Sequence, residues 1–242
     1  MATKAILFTW LALLTSLGTV TWDKAPEKWD LKDVYRILQD SPWSPAESKL
    51  EGKIAPGEMN SQTGLVSDSR SNPNDVTSVP GIRMSHSNPQ PAIPVLWWSS
   101  KTIRLAAQRL RQLQNPSQPA GPLQVDELPD YVLVIEGSEQ LRIFRDAKDD
   151  LRDTVFLELP NGATLDLASV QFVEGSERED PRTEFHFLRQ IEGRATLDPN
   201  SERVIFHCKA AAKTVRPFQE HSLALRAEFR PRAMRVRGVP DL

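Results

Sequence analysis

The sequence predicts a mainly β protein of the α+β class: an antiparallel β-sandwich or barrel-like sheet with one or two packed helices and a disordered N-terminal linker. Three observations lead there. From Tyr131 onward the dominant hydrophobic period is two, the pattern of half-buried strands. Two segments upstream repeat at helical spacing instead. Between them, 26 of the 54 residues 41–94 are Pro, Gly, Ser or Asn, and no aromatic occurs between Trp43 and Trp97. Such a stretch cannot bury enough apolar area to offset its ordering entropy. The predicted division is a signal peptide (1–21), a short amphipathic helical segment (22–43), a disordered linker (44–94) and a β-rich globular domain with its own N-terminal helix (95–242).

The N-terminus carries one positive charge, Lys4, and then an apolar run from Ala5 to about Val20 that ends in small and hydroxylated residues. That is the layout of a secretory signal, with cleavage after Gly18 or after Thr21. The run is shorter than the roughly 20 apolar residues of a spanning helix; an uncleaved anchor and a buried helix are the alternatives. No cysteine follows the run, so lipid attachment by that route is not expected. Cys208 is the one cysteine, which excludes an intramolecular disulfide. An exported domain of this sequence must therefore rest on packing. A net charge of −2 gives no global basic field and argues against nucleic acid as a partner.

In the first helical segment Asp30 is a good N-cap. Leu31, Val34 and Leu38, with Tyr35 and Ile37, supply the periodicity. Ser41-Pro42 stops it, because the residue before proline avoids the helical region. The second helix begins at Ser99 or Ser100, carries Ile103, Ala106, Ala107, Leu110 and Leu113 on one stripe, and ends at Asn115-Pro116. A strand follows over 131–136, then a charged helix over 139–151. Val155, Leu157 and Leu159 alternate, and Asn161-Gly162 signals a hairpin turn of the primed kind. Leu165 and Leu167 have one parity and Val170 and Phe172 the other, so either a bulge near Ala168-Ser169 or two separate strands is expected. Further strands are read at 184–188, 204–208, 223–229 and 234–236.

No catalytic constellation is present: there is no Gly-X-Ser-X-Gly elbow, His-Glu-X-X-His, Walker loop or Gly-X-Gly-X-X-Gly. His186 and His207 fall on separate strands and would meet on the solvent face if those strands paired, but two ligands do not make a zinc site. No metal and no cofactor is expected. Cys208 shares parity with Phe206 and points inward. Acidic pairs such as Asp149-Asp150 could serve a hydrolase as acid and base, though their polar contexts favour solvated faces.

Two features suggest partner binding. Arg226, Arg230, Arg235 and Arg237 could form a guanidinium row for an acidic partner; a charged edge that resists strand pairing is the competing reading. Trp29 and Trp43 flank the first helix and could anchor it on a partner or on the chain's own sheet.

The residues Trp29, Asp33-Val34, Ile37-Leu38 and Ser41-Pro42-Trp43 resemble a signature of exported bacterial proteins of unknown function, Trp-X-X-X-Asp-Val-X-X-Ile-Leu-X-X-Ser-Pro-Trp. Phe185-His-Phe-Leu-Arg189, the strand ending at Phe206, and Phe229 with Met234 and Gly238 look like that family's last strands. Some relatives occur beside proteins with a Gly-Trp-X-Thr-Asp motif, which this chain lacks. The resemblance implies export and no established activity. The expectation is an exported, periplasmic or extracellular, non-catalytic binding or structural module of the cell envelope. An envelope protein would be its partner through the N-terminal segment, and the membrane would be touched only through an uncleaved signal. A secreted hydrolase using an unrecognised carboxylate pair is the alternative.

Overall fold

A computed structural model of the chain describes residues 20–45, 49–50, 93–116, 121–176, 180–213 and 220–242. The signal-sequence reading and residues 51–92 of the predicted linker lie outside the described residues. In chain order the strands are β1 (Lys49–Leu50), β2 (Val95–Trp97), β3 (Asp130–Glu136), β4 (Val155–Glu158), β5 (Thr164–Asp166), β6 (Ser169–Val173), β7 (Arg182–Leu188), β8 (Gln190–Ile191), β9 (Arg194–Ala195), β10 (Val204–Lys213), β11 (Glu220–Phe229), β12 (Arg235–Val236) and β13 (Val239–Pro240). The α-helices are α1 (Leu31–Gln39), α2 (Lys101–Gln114), α3 (Ser138–Asp146) and α4 (Leu151–Thr154). Among the described residues no helix is long and apolar enough to cross a membrane.

Two antiparallel sheets form the sandwich-like body, one in the order β1-β11-β10-β4-β5 and the other β2-β3-β7-β6. Alternation along each strand decides which side chains meet between them. Phe206, Cys208, Leu225, Phe229 and Leu157 point inward from the first sheet; Trp97, Leu133, Phe185 and Phe187 point inward from the second. The rings of Phe185 and Phe206 lie 5.5 Å apart and those of Trp97 and Phe229 5.0 Å apart. Phe144 of α3 closes one side of this core edge-on against Phe185 at 5.2 Å. The predicted charged helix over 139–151 is therefore two helices, α3 and α4, with a turn between them.

The parity slip at 165–172 has a simple cause. β5 pairs with β4 in one sheet and β6 pairs with β7 in the other, so the chain changes sheets between Asp166 and Ser169. The Asn161-Gly162 turn is of a different kind from the predicted one. Leu159 and Ala163 close a three-residue loop in which Gly162 alone has positive φ, 78°; this is the pattern of a type I turn followed by a bulge. The primed pattern occurs instead at Glu192-Gly193 (φ 52° and 75°) between β8 and β9, and at Arg237-Gly238 (φ 50° and 82°) between β12 and β13.

α1 starts with a reciprocal capping box: the Asp33 N–H donates to Asp30 Oδ1 at 2.8 Å, and the Asp30 N–H reaches Asp33 Oδ2 at 3.4 Å. Ser41 Oγ donates to the Ile37 carbonyl at 2.6 Å and Ser44 Oγ to that of Leu38 at 2.6 Å, which satisfies the C-terminal carbonyls. The segment 22–43 is not a tethered outlier. Trp29, Val34, Ile37 and Trp43 are buried in the same hydrophobic core as the sheets, and Arg109 of α2 donates to the Trp29 carbonyl at 3.0 Å. Nor is the whole of 44–94 linker: Lys49 and Leu50 pair with Arg226 and Leu225 of β11, and Ile93 is buried.

The C-terminal residues fasten α2. Asp241 accepts from Ser100 Oγ at 2.7 Å, from the Lys101 N–H at 2.8 Å and from the Thr102 N–H at 3.0 Å. A carboxylate on the orphan N–H groups of a first turn also meets the positive end of the helix dipole. Asp241→Ala should cost about 2 kcal/mol, the upper part of the range for a lost N-cap, and Asp241→Asn less. The shift in urea midpoint at unchanged slope measures it; a loss under about 0.5 kcal/mol would show that Ser100 caps α2 adequately alone.

Candidate functional site

The four-stranded sheet has an outer face as well as an inner one. Leu96, Val132, Val134, Arg182, Glu184 and His186 occupy it by alternation, opposite the parity of Leu133 and Phe185. The two helices flank this face without sealing it. A groove of about 260 Å³ remains, with Tyr35 and Leu38 of α1, Ala107 and Leu110 of α2, and Leu96 and Trp98 as its apolar lining. Arg111, Arg182, Glu136 and Asp180 supply its charged groups. A second depression of about 470 Å³ lies between α2 and the following segment, with Arg104, Gln108, Asp126 and Leu128 among its lining. Trp98 and Arg111 border both. The two depressions, open to solvent and sharing these two residues, together make up the Trp98 trough.

The segment that makes the far wall is extended, and α2 holds it in place. Gln108 Nε2 donates to the Gln124 carbonyl at 3.0 Å and Gln112 Nε2 to that of Gly121 at 2.8 Å. Burial pulls the Arg104 guanidinium below its ordinary range, against the opposing influence of Asp241 and Asp126.

From the trough a row of charges runs across the sheet. Arg182 stands over the Trp98 ring with its guanidinium carbon 5.1 Å from the centroid, and its Nε donates to Glu184 Oε1 at 2.8 Å. Glu184 Oε2 lies 3.5 Å from His186 Nε2, and Asp130 Oδ2 lies 3.4 Å from His186 Nδ1. Burial alone would push the Glu184 carboxyl up, but His186 and Arg182 hold it below its usual range. The Glu184 carboxylate raises His186 above the ordinary imidazole value, against burial and with help from Asp130. The signs follow by linkage. The raised His186 contributes stability that is present below its unfolded pKa and is lost as pH rises through the folded one. The lowered Glu184 contributes stability that is present above its unfolded pKa and is lost as pH falls through the folded one.

The residues singled out from the sequence do not come together here. Trp29 and Trp43 are 2% and 0% exposed, so they fasten the N-terminal segment to its own domain and present no ring outward. Arg226 lies on the outer face of the other sheet, in register with His207, and Arg230 follows the end of β11. Arg235 is turned inward to its neighbourhood, donating to Asn200 Oδ1 at 2.7 Å and to the Gly238 carbonyl at 2.8 Å. Arg237 sits in the β12–β13 turn, and its backbone N–H and Nε donate to Asp23 at 2.7 and 3.1 Å. The predicted guanidinium row is therefore not assembled: β12 is only two residues long, and Arg235 in it and Arg237 in the turn after it serve as local ties. His186 and His207 do not meet, because β7 and β10 belong to different sheets and the two rings lie on opposite outer faces. His207 stacks on Phe156 at 4.7 Å and lies 2.9 Å from Glu158. Cys208 is buried, which pushes its thiol up and makes it inert.

The trough residues carry weaker sequence signals. Tyr35 is an aromatic position of α1 that stays 42% exposed. Of the adjacent pair Trp97-Trp98, alternation sends the first into the core and the second onto the outer face. No family model, curated protein or solved structure matches this chain.

Proposed function

We propose that this chain is an exported, non-catalytic binding module of the cell envelope, and that the Trp98 trough is its binding face for an extended polypeptide segment. Export rests on the N-terminal sequence pattern and on the resemblance of residues 29–43 to the exported bacterial family. The trough itself carries the binding reading. Its two parts, of about 260 and 470 Å³, are both open to solvent and neither is an enclosed cavity. Such a shape takes one or two side chains of a chain laid across it and does not enclose a substrate. Tyr35, Trp98 and Arg111 are the residue types enriched in interface hot spots, and Leu110 adds apolar area beside them. Arg182 stands in register with Glu136, and Arg111 and Asp180 share the same lining, so the groove presents charge of both signs around its apolar residues.

The N-terminal segment keeps its place in this proposal, through Tyr35 and Leu38 rather than through Trp29 and Trp43. A hydrolase needs a carboxyl held protonated near neutrality beside a second acid. Glu184, the carboxyl with a resolved shift among the described residues, moves the opposite way.

A photocrosslinker at Tyr35, compared with one at Phe156 on the opposite outer face, tests the trough in native envelope preparations. Tyr35 should give a discrete crosslinked polypeptide that Phe156 does not, and Leu110→Glu should remove it while leaving the circular dichroism spectrum unchanged. Identical adducts from both positions, or none from Tyr35, would refute the assignment.

A further inference from the structure

We infer that His186 is a pH-responsive control on the Trp98 trough, acting through the charge row Asp130–His186–Glu184–Arg182 that ends on the indole. The significance of this control for binding rests on the trough being the binding face; its existence does not.

The argument is geometric first. Arg182, Glu184 and His186 are successive outward positions of one strand, β7, so their side chains stand side by side on a rigid sheet. Arg182 donates a hydrogen bond to Glu184 at 2.8 Å, and Glu184 Oε2 lies at an ion-pair distance of 3.5 Å from His186 Nε2, which makes no hydrogen bond of its own among the described residues. Asp130 of β3 closes the far end at 3.4 Å from His186. The near end is Arg182 over Trp98, and both of these residues line the groove. The side chains of Arg182, Glu184 and His186 are only 16%, 13% and 13% exposed, so their interactions are screened far less than those of surface pairs.

Among the described residues, the strands beside His186 and Glu184 are neutral. Across β6, Ser169 is paired with His186 and Gln171 with Glu184. Across β3 the partners of His186 and Glu184 are Val132 and Val134, while Arg182 at the near end faces the Glu136 carboxylate. From the helical side the charged groups around the trough are Arg104 and Arg111 of α2 and Asp126 of the segment that follows. His186 is thus the group in this row whose charge changes near neutrality. With His186 protonated, Glu184 is shared between two cations and the row is neutral. With His186 deprotonated, Glu184 faces Arg182 as its one remaining cation in the row, and the row carries a net negative charge. Arg182 is then drawn toward Glu184, and its placement over the indole changes. A segment that presents a carboxylate to the trough binds more tightly below the His186 midpoint than above it.

The experiment is a pH titration of the uniformly labelled full chain by NMR, without any ligand. The imidazole of His186 and the indole N–H of Trp98 are followed together, assigned through His186→Gln and Trp98→Phe. The expected result is a His186 midpoint above the ordinary value of about 6.5 and a Trp98 shift change with the same midpoint. The Trp98 change should be lost in His186→Gln, and Glu184→Gln should lower the His186 midpoint. A Trp98 signal that stays flat while His186 titrates, or one that titrates unchanged in His186→Gln, overturns the proposal. Should His186→Gln fail to fold, coincidence or divergence of the two wild-type midpoints decides it. The crosslinking result at Tyr35 is independent, so failure of the binding assignment and failure of the control are separately visible.

Discussion

Replacing Trp43 by alanine should lower the unfolding free energy by about 3–5 kcal/mol, the range for removing a fully buried tryptophan. The side chain is 0% exposed and packs edge-to-face against Trp22 at 5.3 Å. Its Nε1 donates to the Asp241 carbonyl at 2.5 Å, and its own backbone carbonyl accepts from the Trp97 N–H at 2.8 Å. One residue therefore joins the N-terminal segment to the edge of the four-stranded sheet through its backbone and to the C-terminal residues that cap α2 through its indole. Truncation leaves a cavity at that junction and orphans the Asp241 carbonyl. The loss should also be local: α1 has nine residues and is not stable without its docking surface. Hydrogen exchange of the α1 amides should accelerate more than that of β10. Trp43→Phe should recover much of the packing without the hydrogen bond. A loss below about 1 kcal/mol, with α1 protection intact, would show that the segment is held elsewhere.

The same junction explains what could be read from the sequence. The α1 cap at Asp30, its stop at Ser41-Pro42 and its apolar positions depend on neighbours within one turn, so short-range rules recover them. The strands at 131–136, 184–188, 204–208 and 223–229 announce themselves by alternation for the same reason. Sheet membership is a different matter. Nothing local distinguishes β5 and β6 lying in separate sheets from a bulge in one, and only the facing layer decides. The destination of the N-terminal segment is likewise set by distant residues: Asp241, at a separation of 198, for the Trp43 side chain and Arg109, at a separation of 80, for the Trp29 carbonyl. The arginines illustrate the opposite error. Their alternation with Met234 and Val236 suggested a strand face, but Arg237-Gly238 makes a turn and Arg235 bonds to the adjoining loop, so spacing alone gave a row that tertiary structure does not build. The trough is not legible in any one segment: much of its lining lies within 94–114, but it becomes a trough only when α1, β3 and β7 bring Tyr35, Leu38, Glu136 and Arg182 alongside.

Phe206→Ala tests the core between the sheets, with an expected loss at the upper end of about 3–5 kcal/mol. Phe206 is fully buried on the inner face of β10, and its ring meets Phe185 at 5.5 Å and Phe187 at 6.4 Å across the sandwich. On its own sheet the neighbours are of mixed size: Ala227 is its partner on β11 and Cys208 follows it on the same face, while Leu157 is its partner on β4 and Val204 precedes it, all of them buried and already packed. Collapse would require the two sheets to approach, which Phe185 and Phe187 resist. A poorly collapsing cavity costs more than the transfer of the side chain alone. Cys208 reports the result without a second probe, because its thiol is buried and reacts only when the structure opens. Where closing is faster than labelling, the reaction rate follows the open population. A loss of about 4 kcal/mol then corresponds to a roughly thousandfold faster thiol modification, since about 1.4 kcal/mol is tenfold. Agreement between the thiol rate and the urea-derived loss identifies Cys208 exposure with global opening. If the thiol accelerates much more than the urea loss accounts for, β10 opens locally; if neither changes, the contact between the sheets is not carried by this ring.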